Sequence, residues 1–145
     1  MEEGITFNDK IMDQLFMMAT DVNSIKNFRL MAAITKRNKV IAYGANEIKT
    51  HPLQFKFGKN NSAIYMHAEI SAIKNALRRV SIEDLSKCTI HVCRVKYGDT
   101  RARYNIPGLA KPCEGCMRAI LEFGFKDIRY TTDEGTIEKL ECHAC

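Results

Sequence analysis

No stretch of this sequence approaches the roughly 20 consecutive apolar residues that a membrane-crossing helix needs; its apolar residues come in short runs cut by charges. A membrane-spanning helix is excluded on that ground. The opening Met1-Glu2-Glu3-Gly4 has neither a basic start nor an apolar stretch, so no secretory leader is expected and a cytoplasmic setting is. Proline is scarce, at 3 residues, and glycine modest, at 8. No Pro/Gly/Ser-rich stretch divides the chain, and neither an internal repeat nor a low-complexity segment is found, which predicts one domain over residues 1–145. Nor does one sign of charge dominate: 22 Lys and Arg stand against 17 Asp and Glu, a net +5. That balance suits anionic ligands such as nucleotides or nucleic acid, but it also occurs on inert surfaces.

What the sequence has is the makeup of an ordinary globular domain, with 145 residues, 46% hydrophobic and 27% charged. A chain of this length buries roughly 70% of its extended surface on folding and needs no disulfide framework. Its six cysteines therefore require another explanation. Four form the pairs Cys113-x-x-Cys116 and Cys142-x-x-Cys145, and Cys88 and Cys93 flank a run of strand character. Without a secretory leader, such pairs point to metal or redox chemistry before structural disulfides.

The elements alternate along the chain. Ile11, Leu15 and Met18 fall at helical spacing, with Thr6 or Asn8 available as a cap. Arg29 to Thr35 and Val40 to Gly44 are β-prone runs joined by Lys36-Arg37-Asn38-Lys39, which predicts a hairpin with a four-residue loop. From His67, the residues Ile70, Ile73, Leu77 and Val80 mark a helix with one buried stripe. Thr89 to Val95 reads as a strand, Lys96 to Lys111 as a loop, and Cys113 to Leu121 as a helix closed by Gly124. Asp127 to Thr132 is the next strand, and Ile137 and Leu140 suggest a short terminal helix. Strand, helix, strand, helix, strand is the pattern of right-handed crossovers, so helices should cover a mixed sheet of about five strands whose second half is parallel.

The strongest chemical signal is His67-Ala68-Glu69 at one helix start and Pro112-Cys113-Glu114-Gly115-Cys116 at another. Crossover helices begin at the same edge of a parallel sheet, so these remote stretches can converge. Cysteines at i and i+3 share a helical face with β-carbons about 5–6 Å apart, and their sulfurs can close to the roughly 3.8 Å that tetrahedral zinc asks. Helix N-terminal amides favour the thiolates that zinc needs. One His and two Cys leave the fourth tetrahedral position for water, the arrangement of a catalytic zinc site. Glu69, two residues from His67, is placed to exchange protons with that water as general base and then general acid, and is not itself a ligand.

These two motifs resemble the zinc-dependent cytidine and deoxycytidylate deaminase superfamily, whose zinc members carry an H-x-E and P-C-x-x-C signature. The resemblance extends over approximately Arg29 to Thr132 and implies an α/β fold, a three-layer α/β/α sandwich with a mixed five-stranded sheet. It implies that His67, Cys113 and Cys116 bind zinc, that Glu69 is the proton shuttle, and that Asn46, in Gly44-Ala45-Asn46, contacts the sugar of the substrate. By the same resemblance the backbone amides of Ala68 and of Cys113 or Glu114 hold the pyrimidine ring or its developing charge. Histidine at position 67 is similar to the branch that holds deoxycytidylate, guanine, riboflavin-pathway and tRNA or polynucleotide deaminases. The segment from Lys96 to Lys111 departs from that pattern as a long insertion. With its edges it carries Arg94, Lys96, Arg101, Arg103 and Lys111, interleaved with Tyr97 and Tyr104, which reads first as a solvated loop and second as a place to hold a phosphate.

The implied reaction is hydrolytic deamination of a cytosine nucleotide or nucleoside, deoxycytidylate-like, with release of ammonia. A small-molecule nucleoside or nucleotide is the expected substrate, a homo-oligomer the expected assembly, and tRNA or a single strand the less favoured partner. A non-catalytic rival also exists, a four-sulfur zinc site that adds Cys142 and Cys145 and leaves His67-Ala68-Glu69 unexplained. Cys142, His143 and Cys145 could alternatively bind a second metal or form a reduced, frayed terminus. Cys88, His91 and Cys93 read as buried core residues, and His51, Phe55 and Phe57 as a loop lining the pocket or packing on the sheet edge.

Overall fold

In the computed structural model, the residues described are 7–22, 29–47, 67–98 and 104–141. Helix α1 (Lys10–Thr20) turns Met12, Leu15, Phe16 and Ala19 inward. Its cap is Asp9, whose carboxylate accepts from the Met12 amide at 2.9 Å. Asn8, an expected cap, instead lies in the left-handed region at φ 56 and turns the chain into the helix; Thr6 lies outside the described residues.

Strands β1 (Arg29–Lys36) and β2 (Lys39–Ala45) pair antiparallel. Their loop is two residues, not the four expected, because Lys36 and Lys39 pair with each other across the strands. Arg37 and Asn38 take φ 53 and 64, the backbone of a type I′ turn. Like charges facing each other at Lys36 and Lys39 cost stability, and Asp84, 3.6 Å from Lys36 Nζ, offsets part of it.

Helix α2 (Ala68–Ala76) is shorter than its apolar stripe, since the chain turns at residues 77–80 while Leu77 and Val80 still pack on the core. A one-turn helix α3 (Ile82–Leu85), capped by Ser81, had no counterpart in the sequence reading. Strand β3 (Thr89–Tyr97), strand β4 (Asn105–Gly108), helix α4 (Glu114–Glu122), strand β5 (Asp127–Thr131) and strand β6 (Ile137–Glu141) complete the order. Gly124, at φ 89, ends α4 as expected.

The mixed sheet has six strands in the order β2-β1-β3-β5-β6, with β4 on β3, one more than the expected five. Part of the presumed loop from Lys96 to Lys111 is β4, which folds back on β3 from Arg94 to Tyr97. The presumed terminal helix at Ile137 and Leu140 is the antiparallel strand β6. Gly135, at φ 80, and the bond from the Thr132 amide to the Thr136 carbonyl make the reversal a tight turn. The parallel pairing expected of the second half is confined to β3 with β5.

Two apolar clusters flank this sheet. On one face α1 packs on Met31, Ala33, Cys93 and Val95; on the other, α2 and α4 pack on Ala32, Ile34, Ile90, Val92 and Ile128. This is the three-layer α/β/α arrangement expected. None of the described helices is long and apolar enough to cross a membrane.

Helix α2 lies directly on β2 at Gly44. A β-carbon there would fall 2.6 Å from the Ala68 carbonyl oxygen and 2.7 Å from the Ser71 carbonyl carbon, and would collide with the Ala72 amide. Replacing Gly44 with Ala must therefore lift the helix that begins at His67. The expected cost is at the top of the about 1–3 kcal/mol range for overpacking, or beyond it, read as a lower urea midpoint.

A second expectation concerns pH. His91, 4% exposed, has Nε2 2.9 Å from Thr35 Oγ1 and a buried Nδ1 without a partner. Burial, aided by the Arg129 charge, lowers its pKa to about 4. The unfolded imidazole takes up a proton near pH 6.5 and the folded one does not, so stability falls as pH drops through that window toward 4, by on the order of 3 kcal/mol. His91→Gln should flatten this loss in urea titrations at pH 7 and pH 4.5.

Candidate metal centre

Strands β2, β3 and β5 run in one direction; α2 follows β2, and α4 follows β4, which runs back along β3 and is tied to the end of β5 by the Ala110 amide on the Thr131 carbonyl. His67 is the N-cap of α2 and Cys113 the N-cap of α4, with their carbonyls accepting from the Ser71 amide at 3.0 Å and the Met117 amide at 2.8 Å. Cys116 lies one turn into α4. His67 Nδ1 is 3.3 Å from Cys116 Sγ and 3.6 Å from Cys113 Sγ.

All three donor atoms lie within 4.8 Å of one another. Tetrahedral zinc with bonds of about 2.0–2.1 Å to nitrogen and 2.3 Å to sulfur requires N···S separations of roughly 3.6 Å, so this trio is positioned to bind such an ion. Cys116 is fully buried, His67 half-buried and Cys113 exposed, which leaves the centre approachable from the Cys113 side. Among the described residues this is the one group of at least three such donors.

The electrostatics suit a cation. The hydrogen bond from Cys116 brings the Cys113 thiol down to about 4 against the opposing effect of burial, with His67 adding to the depression. Cys116, holding the shared proton and buried, is pushed up. A divalent ion would take the place of that proton and stabilise both thiolates. Glu69, 3% exposed in the first turn of α2, is pushed up to about 7 by burial, against its own amide and the His67 charge. Its carboxyl therefore lies within electrostatic reach of the trio.

The remaining expected site residues are Ala68 and Asn46. Ala68 is the buried first residue of α2. Asn46 follows β2, where its Oδ1 accepts from the Leu30 amide at 2.9 Å and its own amide donates to the Leu30 carbonyl at 3.4 Å. Two features escaped the sequence reading. The buried Ser71 hydroxyl donates to Glu47 at 3.4 Å, tying α2 to the segment after Asn46; a polar residue inside an apolar stripe was the available signal. Ile70, Cys116, Ala119 and Phe123 form a small apolar cluster behind the ligands.

Part of the basic insertion has internal work. Lys96 Nζ pairs with Asp133 at 2.8 Å, and the Arg29 guanidinium stacks 4.2 Å from the centre of the Tyr97 ring. Lys111 and Tyr104 remain exposed. Cys88, His91 and Cys93 are buried in the core, as expected, with burial pushing the Cys93 thiol up to about 12. His51, Phe55, Phe57, Arg101, Arg103, Cys142, His143 and Cys145 lie outside the described residues.

Residues 5–132 match the family described as the cytidine and deoxycytidylate deaminase zinc-binding region. No curated protein sequence matches the chain. Among solved structures, a cytidine deaminase from Burkholderia pseudomallei is similar at a TM-score of 0.61 and 16% identity, covering 91% of this chain and 90% of its own. A dCMP deaminase from the cyanophage S-TIM5 in apo form aligns at a TM-score of 0.54 and 20% identity, covering 85% and 83%. The same cyanophage enzyme in complex with dCMP and dUMP aligns at 0.57 and 17%, covering 91% and 84%.

The geometry predicts one zinc per chain. His67→Ala or Cys116→Ser should weaken zinc affinity by more than the about 10–100-fold typical of losing a residue outside the ligand set. Cys93→Ala should leave affinity unchanged, with chelator competition as the measurement. Because protons compete for the ligands, wild-type affinity should fall as pH is lowered.

Proposed function

Since the chain belongs to the cytidine and deoxycytidylate deaminase zinc-binding family and is a hydrolytic deaminase by that membership, we propose that its substrate is a cytosine nucleotide or nucleoside, deoxycytidylate-like, converted to the uracil product with release of ammonia. The observation that carries this reading is the convergence of His67, Cys113 and Cys116 beside the buried carboxyl of Glu69. Zinc held by the trio would supply the Lewis acidity that brings the pKa of a water toward neutrality.

The chain's own residues supply the rest. Glu69 takes a proton from the attacking water and delivers it to the ring nitrogen, then carries the remaining proton of the new hydroxyl to the amine, which leaves as ammonia as the carbonyl forms and the bond from carbon to nitrogen breaks. Buried at the start of α2, its carboxyl is shielded from bulk water while it does so. The amide of Ala68 and that of Cys113 or Glu114 stand at helix starts, where first-turn N–H groups can hold the ring or its developing charge. Asn46, whose Oδ1 accepts from the Leu30 amide, is the candidate contact for the sugar.

The net charge of +5 and the exposed Lys111, two residues before Cys113, favour a phosphate-bearing substrate over a bare nucleoside. The same reading takes residues 1–145 as one domain and the protein as a homo-oligomer. Its four described cysteines, all free thiols, suit a reducing, cytoplasmic setting.

Product analysis with cytidine, deoxycytidine, deoxycytidylate and an oligonucleotide should give the highest kcat/KM for deoxycytidylate. Preference for the oligonucleotide would establish a nucleic-acid deaminase instead. Glu69→Ala should lower kcat by about 100-fold to 10,000-fold while zinc is retained; activity that survives with zinc in place would remove the proton-shuttle role.

A further inference from the structure

Strand β3 changes partners along its length. From Thr89 to Val92 it pairs with β5, and from Arg94 to Tyr97 with β4. β4 and β5 thus meet β3 on the same side, and the sheet forks between them. At the fork sits Thr131, with no exposed surface. Its hydroxyl accepts from the Arg94 amide at 3.1 Å and donates to the Gly108 carbonyl at 2.7 Å, while its own carbonyl accepts from the Ala110 amide at 2.9 Å.

Asp133 extends the same attachment by accepting from the Leu109 amide at 3.0 Å and from Lys96 Nζ at 2.8 Å. Three consecutive residues, Gly108, Leu109 and Ala110, are therefore anchored to the end of β5 and the turn after it. The chain then passes through Lys111 and the buried Pro112 to Cys113. Little slack remains between the last anchor and the first sulfur ligand, and a carbonyl or amide left unbonded in a buried fork costs about 1–3 kcal/mol and invites movement.

We propose that Thr131, assisted by Asp133, is a positioning residue for the metal centre: by closing the fork between β4 and β5 it fixes the strap that delivers Cys113 to His67 and Cys116. This rests on the reading of that trio as the zinc ligands and is independent of the substrate. Removing the hydroxyl breaks the bridge that ties the Arg94 amide and the Gly108 carbonyl to β5, and the strap can then relax away from the position that the ion requires.

The test is zinc affinity by chelator competition, together with the visible spectrum of the cobalt(II)-loaded protein. Thr131→Val, nearly isosteric, should weaken zinc binding about 10-fold, the scale of losing support outside the ligand set, and shift the cobalt bands. Thr131→Ser, which keeps the hydroxyl, should restore both. Thr132→Val is the comparison: its hydroxyl, 2.7 Å from Thr136 Oγ1, serves only the turn between β5 and β6, so it should lower stability and leave zinc affinity intact. Wild-type affinity in Thr131→Val, failure of Thr131→Ser to rescue, or an equal loss in Thr132→Val would each overturn the proposal. If Thr131→Val does not fold, Asp133→Ala, a surface change, should still weaken zinc binding by a smaller factor, and unchanged affinity there overturns it too. Absence of zinc uptake by the wild-type chain would overturn the ligand reading itself.

Discussion

Three donors from two helices can share one ion only if both helices begin at the same end of the sheet, and the common direction of β2, β3 and β5 imposes that arrangement. Two of these strands lead toward the candidate centre: β2 into the segment that begins at Asn46, and β3, by way of β4, to Cys113. The ligand set depends on this directionality more than on any single contact. Gly44 sets how near α2 lies to the sheet, and the apolar cluster of Ile70, Cys116, Ala119 and Phe123 sets how near α4 lies to α2. Position along the sheet and distance from it are thus fixed by different residues.

The parts legible in the sequence were those with strong periodicity or an unusual spacing. The helical stripe of α2, the buried β-prone run of β3 and the pair Cys113 and Cys116 all carry their signal locally, and the candidate ligand trio followed from them. What escaped was decided by partners distant in the chain. β4 has four residues and a proline, Asn105-Ile106-Pro107-Gly108, and becomes a strand only because β3 extends past β5 and offers it an edge. Ile137 and Leu140 fit a helix or a strand equally well, and the turn at Gly135 settled the choice by bringing them beside β5. The hairpin loop shortened because Arg37 and Asn38 accept left-handed backbone, which composition alone does not announce.

The four described cysteines divide by environment. Cys88 and Cys93 are small apolar side chains in practice: burial holds both thiols protonated, Cys88 raised and Cys93 at about 12. Cys113 and Cys116 have the same side chain at a helix start, next to an imidazole and each other, and there the first becomes a thiolate at neutral pH. The chain therefore keeps reactive sulfur at one place and inert sulfur at another. The buried, protonated pair is poorly disposed to compete for metal.

Among the described helices, the two whose starts carry the candidate ligands are also the two that open without a side-chain cap. Asp9 and Ser81 bond the first turns of α1 and α3, whereas His67 and Cys113, in the corresponding positions of α2 and α4, make no side-chain capping bond. Such a bond is worth about 1 kcal/mol to a helix end. A cation gripped by both of these residues would act as a clasp joining two otherwise loose helix ends. Loading the cofactor and stiffening the site would then be one thermodynamic event, and the metal-free chain should breathe first at the two helix starts that would hold the ion.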